Sequence, residues 1–408
     1  MLLRFDRLLL RFALLVLAML LMDACSDQQK PVVTAFLERH WADPLLPQGS
    51  PPTQFSELEA SLSPQTCGLC HPEPYETWRN SLHSRAVGPG LLWQLKLMGQ
   101  SDANRCLRCH SPLAEQKALL ALENGWQGAP SQPAPNYVDA KLGHQGVVCA
   151  ACHVRNHQRF GPPPRGPLIV NAPHGGFTPS VAFGDSKFCA HCHQFADDGP
   201  RINGKLQEDT YQQWLASPQA ADQNCQSCHM PDRKHLWRGI HDREMTLRAI
   251  EVSLNVVDRG GSQFAAHALV RNVGAGHHFP TYMVPKVDLV FLLHEPDGRS
   301  LEVGRQVIGW TVDTGITREI ADTRIPAGSS RMFEQRFTAP RGTNWRLELI
   351  VRVRPGEHYE RIYRSSLGQA DRLPSNALPE LKLALSEVRS AEYELLRREF
   401  NSNHLSRH

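Results

Sequence analysis

Several common functional signatures are missing from this 408-residue chain. No glycine-rich phosphate loop and no dinucleotide fingerprint occurs, which removes the usual sequence grounds for a nucleotide-dependent enzyme. Neither sign of charge is in excess: 44 Lys and Arg stand against 41 Asp and Glu, a formal net charge of +3. Such a balance gives no reason to expect nucleic acid as a partner. The uncharged apolar run from Phe12 to Met22 is too short to cross a bilayer. Cysteine is almost absent outside one repeated motif, because ten of the eleven cysteines belong to it.

That motif is Cys-x-x-Cys-His, and it occurs five times. The copies are Cys67-Gly68-Leu69-Cys70-His71, Cys106-Leu107-Arg108-Cys109-His110, Cys149-Ala150-Ala151-Cys152-His153, Cys189-Ala190-His191-Cys192-His193 and Cys225-Gln226-Ser227-Cys228-His229. Each reads as a site for covalent c-type haem attachment. The two thiols form thioethers with the vinyl groups of one haem, and the histidine is placed to ligate its iron. Zinc sites usually pair two Cys-x-x-Cys units to reach four ligands. Five units do not pair, and neither zinc nor a disulfide framework calls for a histidine after every one. Five c-type haems, with iron, are the expected cofactors, and electron transfer is the expected business of the chain.

The ends bear on location. Arg4, Arg7 and Arg11 precede the apolar run, so residues 1–24 read as a secretory signal. Export suits the motifs, since c-type haem is attached outside the bacterial cytoplasm. Cys25, the odd cysteine, sits where a lipoprotein signal would place its lipidated residue. Ala24 suits that reading, whereas Asp23 and Met22 depart from the usual pattern. A lipidated Cys25 would tether the mature protein to a membrane, in the periplasm or at the outer membrane and cell surface. Without residues 1–24 the balance is 41 basic against 39 acidic, or +2. Haem propionates would make the assembled protein mildly acidic.

Residues 25–62 contain Pro31, Pro44, Pro47, Pro51 and Pro52 and read as a linker or an extended wrap over the first haem. The haem segment runs over 63–242. It has too few residues per motif for a large side-chain core around each macrocycle, so short helices and long loops are expected, with loops over 127–137 and 161–167. Tyr75-x-x-Trp78-x-x-Ser81 is echoed by Tyr211-x-x-Trp214-x-x-Ser217, and both predict short helices. From Leu247 the pattern turns to period two, at Ile250–Val257, Ala265–Val270, Val287–His294 and Leu347–Val353, with turn signals at Asp297-Gly298 and Ala327-Gly328. The expected fold is α+β and multidomain. An irregular, mostly helical segment precedes an antiparallel, immunoglobulin-like β-sandwich over 243–366. A C-terminal helical extension over 367–408 follows, in which Leu381, Leu383, Leu385, Val388, Tyr393 and Leu396 within Pro379–Phe400 predict an amphipathic helix.

Second axial ligands decide between carrier and enzyme, because an iron with one histidine has an open position. Candidates outside the motifs are His83, His144, His174, one of His235 and His241, and one of His277 and His278. His83 is too far from His71 along a helix to share its iron, so a neighbouring haem is its expected partner. Asp242 is placed to orient His241. Arg155, His157 or Arg159 would supply polar groups beside an open iron.

Cys67-x-x-Cys70-His71 with Tyr75, Trp78, Ser81, His83 and Ser84, Gly146-Val147 before the third motif, and Cys225-x-x-Cys228-His229-Met230-Pro231 resemble the cytochrome c-554 family over roughly 60–242. The resemblance implies a multihaem electron carrier with stacked haem pairs. In haem packing it would be related to hydroxylamine oxidoreductase and pentahaem nitrite reductase. The fifth motif and the β-region depart from the tetrahaem type, and the Cys-x-x-Cys-Lys of nitrite reductase is lacking. The loop Gly276–Thr281 looks like one seen in other multihaem cytochromes with a C-terminal sandwich. Redox protein partners follow: a quinol-linked donor, and a terminal reductase or another cytochrome. Two further readings are a reductase or oxidase of a small nitrogen or sulfur compound at one five-coordinate haem, and an assembly that joins subunits into an oligomer or filament through the sandwich.

Overall fold

The structure, a computed structural model, describes residues 30–167, 172–340 and 344–405. The leader expected over 1–24 and Cys25 lie outside the described residues. Among the described residues no helix is long and apolar enough to cross a membrane.

The first part of the chain is built from short helices. Pro64, Pro72 and Pro89 each stand in the first turn of one, where the missing N–H costs nothing. The Tyr-x-x-Trp echoes fall on helices Pro72–Arg79 and Thr210–Leu215, as expected. In each, the two rings lie a turn apart, 5.9 Å and 5.6 Å between centroids. Residues 127–137 form a loop, and 161–167 do so after Gly161, which ends strand Gln158–Gly161.

The segment read as a linker is instead packed. Residues 30–40 are helical, and Val33 and Leu37 are buried with Ala182 and Phe188, beside the third and fourth motifs and not the first. The His40 Nε2–H donates to the Cys152 carbonyl at 2.8 Å. Prolines alone suggested an open chain; apolar residues at i and i+4 on a helix outweigh them.

The period-two runs form two antiparallel sheets. Strands β1 (Ile250–Gly260), β2 (Gln263–Asn272), β3 (Lys286–His294), β4 (Ser300–Ile308), β5 (Ser330–Thr338), β6 (Arg346–Arg354) and β7 (Tyr393–Asn401) order as β5-β2-β1 and β7-β6-β3-β4. Both sheets feed one core, which includes Val252, Phe264 and Phe333 from the first and Leu289, Phe291, Leu347 and Leu349 from the second. Each large apolar side chain buried there contributes about 1.5–3 kcal/mol. The turn at Asp297-Gly298 joins β3 to β4, with Gly298 at φ 86°.

The C-terminal extension differs from the expectation. The helix ends at Ser390, and Tyr393–Asn401 is not helical but becomes β7, which pairs with β6 and closes the sheet. The sheet therefore draws on residues beyond 366. Helices Glu357–Leu367 and Leu378–Ser390 form a hairpin against helix Pro89–Leu95, where Trp93 meets Tyr363 edge to face at 5.9 Å. Trp93, Tyr363, Leu381 and Ala384 share one buried cluster, so the end of the chain grips the motif-bearing segment.

Candidate functional site

Each motif lies on a short helix: Pro64–Cys70, Gln100–His110, Cys149–His153, Lys187–His193 and Cys225–His229. Cysteines three residues apart stand one turn above each other, and the histidine that follows shares their face. The ten motif cysteines are free of disulfides. All ten, with all five motif histidines, line one continuous cavity of about 3080 Å³. Protein interiors close-pack and leave few voids larger than a water molecule. A cavity of this size, lined by thiols and imidazoles, fits a set of large bound groups and not a side-chain core.

The histidines inside it are paired. His71 faces His174 with ring centroids 6.5 Å apart, His193 faces His83 at 6.3 Å, His153 faces His235 at 6.1 Å and His229 faces His277 at 6.4 Å. A metal–imidazole bond is about 2.0 Å and a ring nitrogen lies about 1.1 Å from its ring centre, so two imidazoles on opposite sides of one metal would stand about 6.2 Å apart. Ordinary aromatic contacts also reach this distance. They would not select one motif histidine and one distal histidine four times over. These are the His–His ring pairs among the described residues.

Hydrogen bonds settle which nitrogen is free. The Nδ1–H groups of His110, His153 and His229 donate to the carbonyls of Ala86 (2.8 Å), Phe160 (2.7 Å) and Arg238 (2.6 Å). His174 and His277 donate likewise to Gly176 (2.9 Å) and His278 (2.8 Å). A carbonyl only accepts, so each of these Nδ1 atoms carries the proton and Nε2 is left as the ligating atom. Burial holds the rings neutral: it pushes His83 down to about 3, and His235 and His277 down to about 4. The neutral ring is the form that binds a metal.

Local backbone chemistry delivers the distal rings. His83 lies in a 3₁₀ turn after helix Pro72–Arg79, and the N–H of Val147 donates to its carbonyl at 2.8 Å. Gly146, at φ 65°, passes so close that a Cβ there would meet the His83 carbonyl at 2.2 Å. Only glycine fits. His174 sits at φ 47° between Pro173 and two glycines, and its N–H donates to the Glu59 carboxylate at 2.8 Å. The loop carrying His277 is held by Asn272, whose Nδ2 donates to the carbonyls of His277 (2.8 Å) and Ile325 (3.0 Å).

Other candidates lie elsewhere. His144 does not line the cavity; its Nε2 pairs with Glu123 at 2.5 Å on the exposed surface. His241 lines the cavity with no imidazole paired to it among the described residues, and Asp242 caps the next helix by accepting from the Met245 N–H at 2.7 Å. His278 is outside the cavity wall, and its N–H donates to Gln213. Arg155 donates to the carbonyls of His40, Ala150, Ala151 and Val154 and lies over Trp41. His157 is buried against Tyr137. Only Arg159 of those three lines the cavity.

His110 is the motif histidine with no second imidazole at this spacing among the described residues. The cavity near Cys106 is walled by Tyr359, which is 38 % exposed and raised in pKa by burial, then by Glu208 and Cys106. No local pattern pointed to this tyrosine, because it arrives from helix Glu357–Leu367, far along the chain from the second motif.

Thiol–thiol interactions join different motifs: Cys67 with Cys149, Cys109 with Cys192, and Cys189 with Cys225. The first motif therefore adjoins the third, and the fourth adjoins both the second and the fifth.

No family model and no curated protein matches this chain. Its fold is similar to that of a penta-heme cytochrome c552 from Thermochromatium tepidum, with a TM-score of 0.56 at 19% identity, over 84% of this chain and 99% of that one. At that identity the likeness establishes a shared fold.

Proposed function

We propose that this chain is a pentahaem c-type cytochrome that carries electrons between protein partners. The observation that carries the reading is the cavity: ten thiols, five motif histidines and four imidazole pairs at the spacing of a shared metal. The bound haems supply one-electron redox chemistry. The cysteine pairs anchor them. His71, His153, His193 and His229 would hold iron, each together with the imidazole that faces it: His174, His235, His83 and His277 respectively. Motif adjacency supports a route from the first haem to the third, on to the fourth, and from there to the second and fifth, since Cys152 also perturbs Cys189 and Cys192. The exported location, the tether at Cys25 and the quinol-linked or cytochrome partners belong to the same proposal, as does membership of the cytochrome c-554 family.

The test is the covalent haem count of the exported protein, by intact mass. Five haems are expected, and four in a Cys149→Ser, Cys152→Ser double variant. A protein that carries none contradicts the reading.

One observation favours a second reading, in which a small nitrogen or sulfur compound is reduced or oxidised at one five-coordinate haem. Among the described residues His110 has no imidazole opposite it, and Tyr359 presents a protonated phenol to that part of the cavity. A phenol is a hydrogen-bond donor suited to orienting a small polar ligand. Nitrite, hydroxylamine or sulfite would then perturb the optical spectrum of about one haem. Spectra indifferent to all three leave the carrier reading alone.

A further inference from the structure

We propose that Trp237 is a positioning residue that seats the distal imidazoles of two different haems, His83 and His235. The proposal rests on the axial-ligand reading above.

Three independent observations converge on this side chain. First, its ring meets both imidazoles edge to face. The Trp237–His83 centroids are 4.4 Å apart at 82°, and the Trp237–His235 centroids 5.1 Å apart at 79°. His83 faces His193 of the fourth motif, whereas His235 faces His153 of the third. One indole therefore touches ligands of two irons.

Second, the buried Nδ1 atom of His83 has no hydrogen-bond partner and that of His235 makes no bond of ordinary geometry, the Arg233 carbonyl being the backbone group beside that ring, in contrast to the five imidazoles that donate to carbonyls at 2.6–2.9 Å. A buried donor left unpaired is costly. An N–H directed at the face of an aromatic ring recovers part of that cost, because the face is the negative part of the ring quadrupole. Trp237 is the aromatic neighbour that both rings share.

Third, the backbone at Trp237 is strained. It adopts φ 41°, in the left-handed region that bulky residues avoid. Asp232 and Arg233, in the same connection, are also left-handed, at 56° and 65°. The Trp237 N–H donates to the His229 carbonyl at 2.9 Å, which ties the residue to the fifth motif. Its ring packs against the cluster containing Trp78 and Val148. A strained conformation persists only where its surroundings hold it, and such residues gather at functional sites. Here the strain turns the indole inward between two imidazoles.

The consequence concerns both orientation and potential. A carbonyl that accepts from Nδ1–H raises the basicity of the ligand; a π face does so far less. His83 is then a weaker donor than the carbonyl-bonded ligands, and His235, with only the poorly aligned Arg233 carbonyl beside it, is weakened less. The third and fourth haems, in the middle of the route, sit at higher potential than they would with carbonyl partners. Their imidazole planes are fixed by one shared wall.

The test uses the haem-loaded full chain and its low-spin EPR signals. Trp237→Leu removes the aromatic face. It is expected to move the g-values of two of the low-spin haems and leave the others in place. Trp237→Phe keeps a smaller face and is expected to move the same two by less. If Trp237→Leu fails to load haem, the Trp237→Phe spectrum decides: two shifted signals support the role, and unchanged signals overturn it. A shift of all signals alike also overturns it, since that reports general disturbance. Absence of bis-imidazole signals in the parent protein overturns the ligand assignment and this proposal together. Their presence with unmoved variant spectra overturns this proposal alone.

Discussion

The two halves of this molecule solve the problem of an interior in opposite ways. The β-region closes two sheets over one apolar core of its own side chains, with Leu289, Phe291, Leu347 and Leu349 all fully buried. The motif-bearing region has small, separate clusters around a cavity of about 3080 Å³. Its interior is completed by what it binds. The difference teaches that burial of apolar side chains accounts for the stability of the first region but not of the second, where, on the proposed reading, covalent attachment and ligation contribute.

The sharpest way to break this contrast is to withhold haem. Protein made without haem attachment is expected to lose the short helices of residues 63–242 while keeping the β-region strands, as read by circular dichroism and limited proteolysis. Survival of both, or loss of both, breaks the contrast.

The next largest effect belongs to the β-core. Phe291→Ala is expected to cost about 3–5 kcal/mol, seen as an earlier far-ultraviolet melt. The Soret band should keep its low-spin position below that melt. Simultaneous loss of the two at every temperature would mean that the regions share one interior.

A smaller change sharpens the seam between them. Asn272 lies at the end of β2 and holds the His277 loop by two hydrogen bonds, donating to the His277 carbonyl and accepting from the Ala275 N–H. Asn272→Ala leaves the His277 carbonyl and the Ala275 N–H without these partners, at a cost of about 1–3 kcal/mol. The low-spin signal of the haem that the proposed reading assigns to His229 and His277 should broaden while the other signals stay. An unchanged signal would show that the β-region does not position that ligand.

The smallest effect is a pH response confined to the β-region. Asp313 accepts from the Thr317 hydroxyl (2.6 Å) and from the N–H groups of Arg318 (2.9 Å) and Thr317 (2.7 Å), which hold its carboxyl down to about 2. The folded value lies below the ordinary 3.8. The stabilisation is thus complete above about 4 and is lost as pH falls through about 2. Amide exchange in residues 313–318 should quicken over that range, and Asp313→Asn should remove the pH dependence.

Legibility from sequence followed the same divide. The attachment motifs were readable because their spacing is local: two thiols and an imidazole on one helical face. The strands were readable because residues such as Ile250, Val252, Leu254 and Val256 alternate with Glu251, Ser253 and Asn255. The distal partners were not, because His71 meets His174 across 103 residues and no local pattern records that. His144 stood close to a motif in sequence, yet it folds outward to Glu123. The C-terminal strand was misread for a specific reason. In β7, Leu396 pairs with Val351 and Glu394 with Arg352, so Leu395 bulges from the ladder. The extra residue breaks the period of two. It leaves Tyr393, Leu396 and Phe400 spaced by three and four, which imitates a helix. The linker was misread because its prolines spoke louder than Val33 and Leu37.

The most direct measurement is the EPR spectrum of the oxidised, fully haem-loaded protein. The account predicts low-spin, bis-imidazole signals from four haems and a distinct signal from the haem on His110. Five equivalent bis-imidazole haems, or fewer than four, would contradict it.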